Sequence, residues 1–241
     1  ESIIYQPAAS MLVIGDEILS GRTQDTNSNF LALALTKKGI NLSEIRIVPD
    51  KKSQIIYAVN ELRHKYDYVF TSGGIGPTHD DITADSIAEA FSVGIKVRED
   101  AKKLLASNYA NGEKDLNSSR LRMARIPEGA HLIENKISKA PGFYLSNVYV
   151  MAGVPVIFQA MTDWIIPQLS HGKPTISTTI RIDRPEGEIA KSLKIIAQDY
   201  KEVSIGSYPF NEKGLLGTNV VVRHYDKDLL FRVKSAILSS L

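Results

Sequence analysis

The chain has 241 residues, enough for one large domain or for a domain with a small appendage. Lys+Arg 29 against Asp+Glu 27 leaves a net charge of +2, so no global field points to a nucleic-acid partner or an anionic membrane. With 43% hydrophobic and 23% charged residues the chain is globular, and the absence of cysteine excludes disulfides, thiolate nucleophiles and zinc–thiolate or iron–sulfur sites.

The longest apolar runs, Val148–Ala152 and Val154–Phe158 around Gly153, fall well short of the roughly 20 residues of a membrane span. The opening Glu1-Ser2-Ile3-Ile4 lacks the basic region of a signal peptide. The expectation is a cytoplasmic protein with no membrane partner.

In chain order, Met11–Ile14 is an apolar run ended by Gly15-Asp16, as a strand buried on both faces would be. Asn27 or Ser28 can cap a helix carrying Phe30, Leu31, Ala34 and Leu35 on one face and stopped by Gly39. Ile45–Val48 is the next strand, ended by Pro49-Asp50; Ser53 can cap a helix with Ile55, Ile56, Val59 and Leu62 inward. Tyr68–Thr71 is the third strand, and Thr83 opens a helix through Ile87, Ala88 and Phe91. This alternation predicts right-handed crossovers, a parallel sheet and helices on both of its faces.

The middle is less regular. Asp100–Tyr109 and Ser119–Ala124 read as helical, Ala130–Ile133 and Val148–Met151 as strands, and Val156–Leu169 as a helix with Trp164 on its core side. The pattern breaks at Ser170–Pro174, which places a boundary between residues 9–170 and 175–241. Ile176–Ile182, Glu186–Tyr200, Val203–Ser207, Thr218–His224 and Asp226–Leu241 then follow in the order βαββα, a small α+β domain.

In a parallel sheet, ligands bind beyond the C-terminal strand ends. Three such ends carry small or acidic residues: Gly15-Asp16-Glu17, Pro49-Asp50, and Ser72-Gly73-Gly74-Ile75-Gly76-Pro77-Thr78-His79-Asp80-Asp81. Gly73-Gly74-x-Gly76 would let backbone N–H groups approach an anion, with the next helix adding its positive end; it is equally the composition of a tight strand–helix turn. It is neither a Walker A loop nor a dinucleotide fingerprint. Asp80 and Asp81 beside a phosphate would repel it unless a divalent cation intervened, and oxygen ligands favour Mg²⁺. One of the two can instead cap the helix at Thr83. Asp16 and Glu17 can supply further carboxylates, while Asp50 reads as either a turn or a site residue. His79 reads as solvated, and Arg120, Arg122 and Arg125 as salt-bridged or solvated rather than phosphate-binding. Gly153-Val154-Pro155 again joins a strand to a helix and can line the same pocket.

Gly15-Asp16-Glu17-Ile18-Leu19-Ser20-Gly21, Asp25-x-Asn27, Thr71–Thr83, Ala140-Pro141-Gly142-Phe143 and Gly153-Val154-Pro155 resemble, in this order, the molybdopterin-binding domain of molybdenum cofactor biosynthesis, the MoaB/Mog type. The resemblance is strongest to the branch that forms the N-terminal part of competence/damage-inducible protein A and of FAD synthases. The C-terminal segment, with Ile205-Gly206-Ser207-Tyr208-Pro209, is similar to the small domain that follows there. The resemblance implies a three-layer α/β/α fold that binds molybdopterin, another phosphorylated pterin or a nucleotide, as a homo-oligomer. It implies a catalytic role for Asp81 and Asp50, and a ligand site drawn from Gly15, Asp16, Ser72, Gly73, Gly74, Gly76, Pro77, Thr78, Gly142, Gly153 and Pro155. A Mg²⁺ ion would sit at Asp16, Asp80 and Asp81. In part of that branch the similar domain is a metal-dependent pyrophosphatase of ADP-ribose-like or FAD-like dinucleotides. The chain departs from the pattern at Ala152, where relatives carry proline, and at Ser138-Lys139, where Gly-Thr is usual.

Overall fold

Strand β1 (Ala8–Ile14) buries alternate side chains in two different cores, and this is why its sheet carries helices on both faces. The computed structural model describes residues 5–241, and Glu1–Ile4, read above for a leader, lie outside the described residues. One compact unit ends at Gly172 and a second runs from Lys173 to Leu241.

In the first unit β2 (Asn41–Val48) and β3 (Tyr68–Ser72) flank β1, both parallel to it. The three apolar runs read as adjacent parallel strands are therefore that. Next to β3 lies β8 (Val148–Met151), also parallel, followed by antiparallel β7 (Gly142–Leu145) and β6 (His131–Ile133), giving the order β2-β1-β3-β8-β7-β6. The sheet is mixed but mainly parallel. Leu12 and Ile14 point to a core closed by α3 (Lys52–Lys65), α4 (Thr83–Ala90) and α5 (Glu99–Ala106). Ala9, Met11 and Val13 point to the other, closed by α2 (Asn27–Thr36) and α7 (Pro155–Ile165), where Trp164 is half-buried. Short α1 (Asp16–Leu19) and α6 (Ser118–Leu121) fill connections.

Several details differ from the sequence expectation. Neither Asn27 nor Ser28 caps α2; Asp25 does, accepting the Ser28 amide at 3.1 Å and its hydroxyl. No side chain caps α3, which begins one residue before Ser53. β4 (Ile95–Val97) and β5 (Arg125–Pro127) form an unforeseen antiparallel ribbon, too short to show a period. The Ala140-Pro141-Gly142-Phe143 motif leads into β7, where a Cβ on Gly142 would lie 2.4 Å from the Val150 carbonyl oxygen.

The second unit is an antiparallel sheet in the order β10-β11-β9, formed by β9 (Ile176–Ile182), β10 (Ser204–Glu212) and β11 (Leu215–His224). Ile180, Ile182, Val220 and Val222 face α8 (Glu186–Asp199) and α9 (Lys227–Ser239) across one core. The order is βαββα. Asp226 caps α9 by accepting the Asp228 and Leu229 amides.

On β2, Glu44 is held by the Arg46 guanidinium at 2.7 Å, the Tyr66 hydroxyl at 2.7 Å and the Lys65 ammonium at 3.0 Å, while Arg46 also reaches Glu61 at 2.6 Å. These donors, Arg46 first, hold the Glu44 carboxyl down at about 2. A carboxylate depressed on folding stabilises the fold fully above its unfolded pKa, and that contribution drains away as pH falls through its folded pKa. The difference in urea midpoint between wild type and Glu44→Gln should therefore be full above about pH 4.5 and vanish towards pH 2. A pH-independent difference would show that Glu44 acts through shape alone.

Candidate functional site

The strand order reverses at β1, whose neighbours are the next two strands in sequence, so the crevice beyond the ends of β1 and β3 is a topological switch point. Gly15 and Gly73 stand at those two ends, and Gly153 follows the end of β8. Gly73 (φ 99) and Gly74 (φ 70) both adopt the left-handed backbone. A Cβ on Gly73 would lie 2.2 Å from the Ile14 carbonyl oxygen, and one on Gly74 would lie 2.1 Å from the Thr83 hydroxyl. Thr83 closes the loop onto α4, donating its amide to the Gly74 carbonyl and its hydroxyl to the Gly73 carbonyl, both at 2.9 Å.

This loop forms one wall of a cavity of about 530 Å³. Gly73, Gly74, Gly76, Pro77 and Asp81 line it, as do Gly153 and Pro155 from the start of α7. Glu17 reaches it as well. The opposite wall is one the sequence reading missed: Leu105, Asn108 and Tyr109 at the end of α5, Met123, and Ile157 and Met161 of α7. Tyr109 is fixed there by the Arg120 guanidinium stacked 4.3 Å from its ring centre. The only sequence signal for this wall was the apolar face of the 100–109 helix, which follows no parallel strand end. The loop after β6 completes it with Ser138, Ala140 and Pro141.

Other expected site residues lie elsewhere. Gly15, Asp16, Asp50, Thr78, Asp80 and Gly142 do not line this cavity. Ser72 instead lines a smaller one of about 50 Å³ with Asp25, Asn27, Gly153 and Pro155. Asn27 is only 6% exposed; its Nδ2 donates to the Gly153 carbonyl at 2.9 Å, while its Oδ1 is buried without a hydrogen-bond partner. That orphaned acceptor suits a hydrogen-bond donor at the seam of β3 and α7.

Asp50 accepts the Asp16 amide at 3.0 Å, which ties the ends of β1 and β2 together. Burial pushes the Asp50 carboxyl up, opposed by that amide and reinforced by the charges of Asp16, Glu17 and Asp80. Neither Asp80 nor Asp81 caps α4, whose first turn has no side-chain cap. Both carboxylates instead turn back to the Thr78 hydroxyl, Asp80 at 2.5 Å and Asp81 at 2.6 Å, and Asp81 also accepts the Thr78 amide at 2.8 Å. The hydroxyl holds the Asp80 carboxyl below its usual range. His79 is exposed. Arg122 clamps this turn by donating to the Thr78 and Asp81 carbonyls at 3.1 and 3.0 Å. Arg125 is paired with Asp85, as the sequence reading allowed, whereas Arg120 and Arg122, read there as salt-bridged or solvated, are part-buried and donate to backbone carbonyls.

Among the described residues no three His, Asp or Glu side chains converge as a metal cage requires, and Asp16, Asp80 and Asp81 do not form one. No helix among them is long and apolar enough to cross a membrane.

Residues 10–171 match the family described as probable molybdopterin binding domain, and residues 174–241 match the FAD synthase middle domain. A probable FAD synthase of Caenorhabditis elegans is 31% identical over 97% of this chain, which spans about half (49%) of that relative's length. A protein of Archaeoglobus fulgidus is 31% identical over 83% of the chain and 84% of its own length. The crystal structure of the protein CinA from Thermoplasma acidophilum superposes with a TM-score of 0.63 and 33% identity, covering 67% of this chain and 97% of that one. The chain belongs to the molybdopterin-binding domain family.

The loop geometry makes a direct prediction. Gly73→Ala and Gly21→Ala both place a Cβ on a left-handed backbone (φ 99 and 73), but nothing lies within 4 Å of the Gly21 position. Gly21→Ala should cost about 1 kcal/mol. Gly73→Ala should cost more, towards the upper end of about 1–3 kcal/mol. Equal shifts in urea midpoint would mean that the contact with Ile14 is readily relieved.

Proposed function

We propose that this chain binds a phosphorylated pterin or nucleotide in the 530 Å³ cavity, with the phosphate against the Gly73–Gly76 backbone and the ring against Tyr109. The observation that carries this reading is the pairing, on one cavity, of a glycine loop at a switch point with a fixed aromatic wall. With Arg120, Arg122 and Arg125 engaged elsewhere and the Gly73 amide donated to the Met151 carbonyl at 3.2 Å, the phosphate is left to the backbone N–H groups of Gly74–Gly76 and to the positive ends of α4 and α7. The unpartnered Asn27 Oδ1 adds a hydrogen-bond acceptor at the adjoining seam.

A second reading has a specific observation behind it. Two carboxylates, Glu17 and Asp81, line the same cavity, and the whole chain is similar to a probable FAD synthase. On this reading the ligand is a dinucleotide of the FAD or ADP-ribose class, cleaved at its phosphoanhydride. Among the described residues there is no three-carboxylate cage, so any Mg²⁺ would be held largely by the ligand's own phosphates, with Asp81 alongside.

A thermal-shift panel of molybdopterin precursors, FAD, ADP-ribose, NAD and ATP, each with and without Mg²⁺, tests both readings. A true ligand at 100 times its Kd should stabilise by about 2.7 kcal/mol. Silence across the panel would refute ligand binding. Asp81→Asn retains an acceptor for the Thr78 amide, so its melting temperature should stay close to wild type. If the chain is hydrolytic, turnover should fall by orders of magnitude in that variant; undiminished turnover would remove Asp81 from the chemistry. Tyr109→Ala should weaken ring-bearing ligands while leaving inorganic pyrophosphate unaffected.

A further inference from the structure

Among the described residues Glu17 alone brings a carboxylate to both the 530 Å³ cavity and the smaller one of about 50 Å³. Thr23, Gly153 and Pro155 also line both, so the two spaces adjoin. The Glu17 carboxylate is folded back over the end of β1. A Cβ on Gly15 would lie 2.4 Å from its Oε2 and 2.6 Å from its Oε1. The Thr23 amide, donating to the Glu17 carbonyl at 3.0 Å, fixes the backbone on which it stands. No donor among the described residues bonds this carboxylate. The other carboxylates nearby are committed. Asp81 accepts the Thr78 amide and hydroxyl and does not line the smaller cavity, and Asp25, which does, holds the start of α2 through Ser28.

The smaller cavity has room for water, which needs about 10–15 Å³ and two or more polar partners. One partner is Asn27 Oδ1, buried without a hydrogen bond, on an amide oriented by the 2.9 Å bond from Nδ2 to the Gly153 carbonyl. The Glu17 carboxylate is the second. Gly153 also packs against Gly73, so this seam lies beside the loop proposed to hold phosphate.

We infer that Glu17 is the general base of a phosphoanhydride hydrolysis, acting on a water that Asn27 Oδ1 orients at the seam. The inference rests on the hydrolytic reading above. In the step the water oxygen bonds to one phosphorus of the dinucleotide, and the bond from that phosphorus to the bridging oxygen breaks. The bridging oxygen leaves on the other phosphate with the electron pair, and the water's proton passes to the Glu17 carboxylate. Water is the only co-reactant.

Release of AMP from FAD and from ADP-ribose, with Mg²⁺ present, reads this step. Glu17→Gln should lower kcat by about 10²–10⁴-fold. By calorimetry with Mg²⁺ withheld, it should bind either dinucleotide at least as tightly as wild type, because it removes a negative charge from a cavity that takes phosphates. Gly15→Ala is the second variant. The Gly15 backbone is extended (φ 161), and the three atoms nearest to a new Cβ all belong to the Glu17 carboxyl group, so alanine displaces that group without straining the chain. Its kcat should fall while its melting temperature holds, and Gly15→Ala should add little to the loss already caused by Glu17→Gln. Unchanged kcat in either variant, or binding lost in step with turnover, overturns the inference and leaves the hydrolytic reading standing. A wild-type chain that releases no AMP from either dinucleotide overturns both.

Discussion

Three backbone segments meet at the C-terminal ends of β1, β3 and β8, and their closeness is the constraint on which the rest depends. Gly73 stands against the Ile14 carbonyl, and a Cβ on Gly153 would lie 3.2 Å from the Gly73 Cα. Such contact leaves no room for side chains at the switch point, and it fixes how the loop after β3 must turn before α4 begins. Thr83 then secures the turn from the helix side by donating to the Gly73 and Gly74 carbonyls. The glycines are thus demanded first by the protein's own packing, and the bare peptide surface they leave towards the cavity follows from that demand.

Electrostatics divides the region in two. Asp16, Asp50 and Asp80 gather beside the strand ends but off the cavity, and burial with mutual repulsion raises the Asp50 carboxyl. Asp50 is tolerated there because it ties the Asp16 amide and so joins the first two strand ends. The neighbouring guanidiniums stack on Tyr109, clamp the Thr78–Asp81 turn or pair with Asp85. The cavity is therefore mostly apolar with two acidic residues, and an anion entering it must rely on peptide dipoles rather than on salt bridges.

Legibility in the sequence followed the range of the signal. The runs at 11–14, 45–48 and 68–71 and the five elements of the second unit were readable because one local period specified each. Caps were misread where the true acceptor lay outside the expected position, as Asp25 does for α2. The short ribbon of β4 and β5 was invisible because three residues show no period. The glycine loop could be found from composition at a strand end, whereas Asp80 and Asp81 could not be assigned, since their partner is Thr78 behind them rather than the helix ahead. The wall of Leu105, Tyr109 and Met123 comes from chain distant in sequence and brought in by tertiary packing alone.

The two edges of the main sheet have opposite consequences. At one edge the chain turns back on itself through β6 and β7, and the loop between them is fixed by the buried Asn135. Its Oδ1 accepts the Ile137 and Ser138 amides at 3.0 and 2.8 Å, and its Nδ2 donates to the Ala140 carbonyl at 2.7 Å. The Ser138–Pro141 wall of the cavity is thereby held by the protein's own hydrogen bonds. At the other edge β2 ends the sheet with no such extension, and its polar backbone and two isoleucines face outward. The cavity is thus built on the side of the sheet towards β6, and the strand ends where Gly73 meets Ile14 and Gly153 lie between that side and the β2 edge.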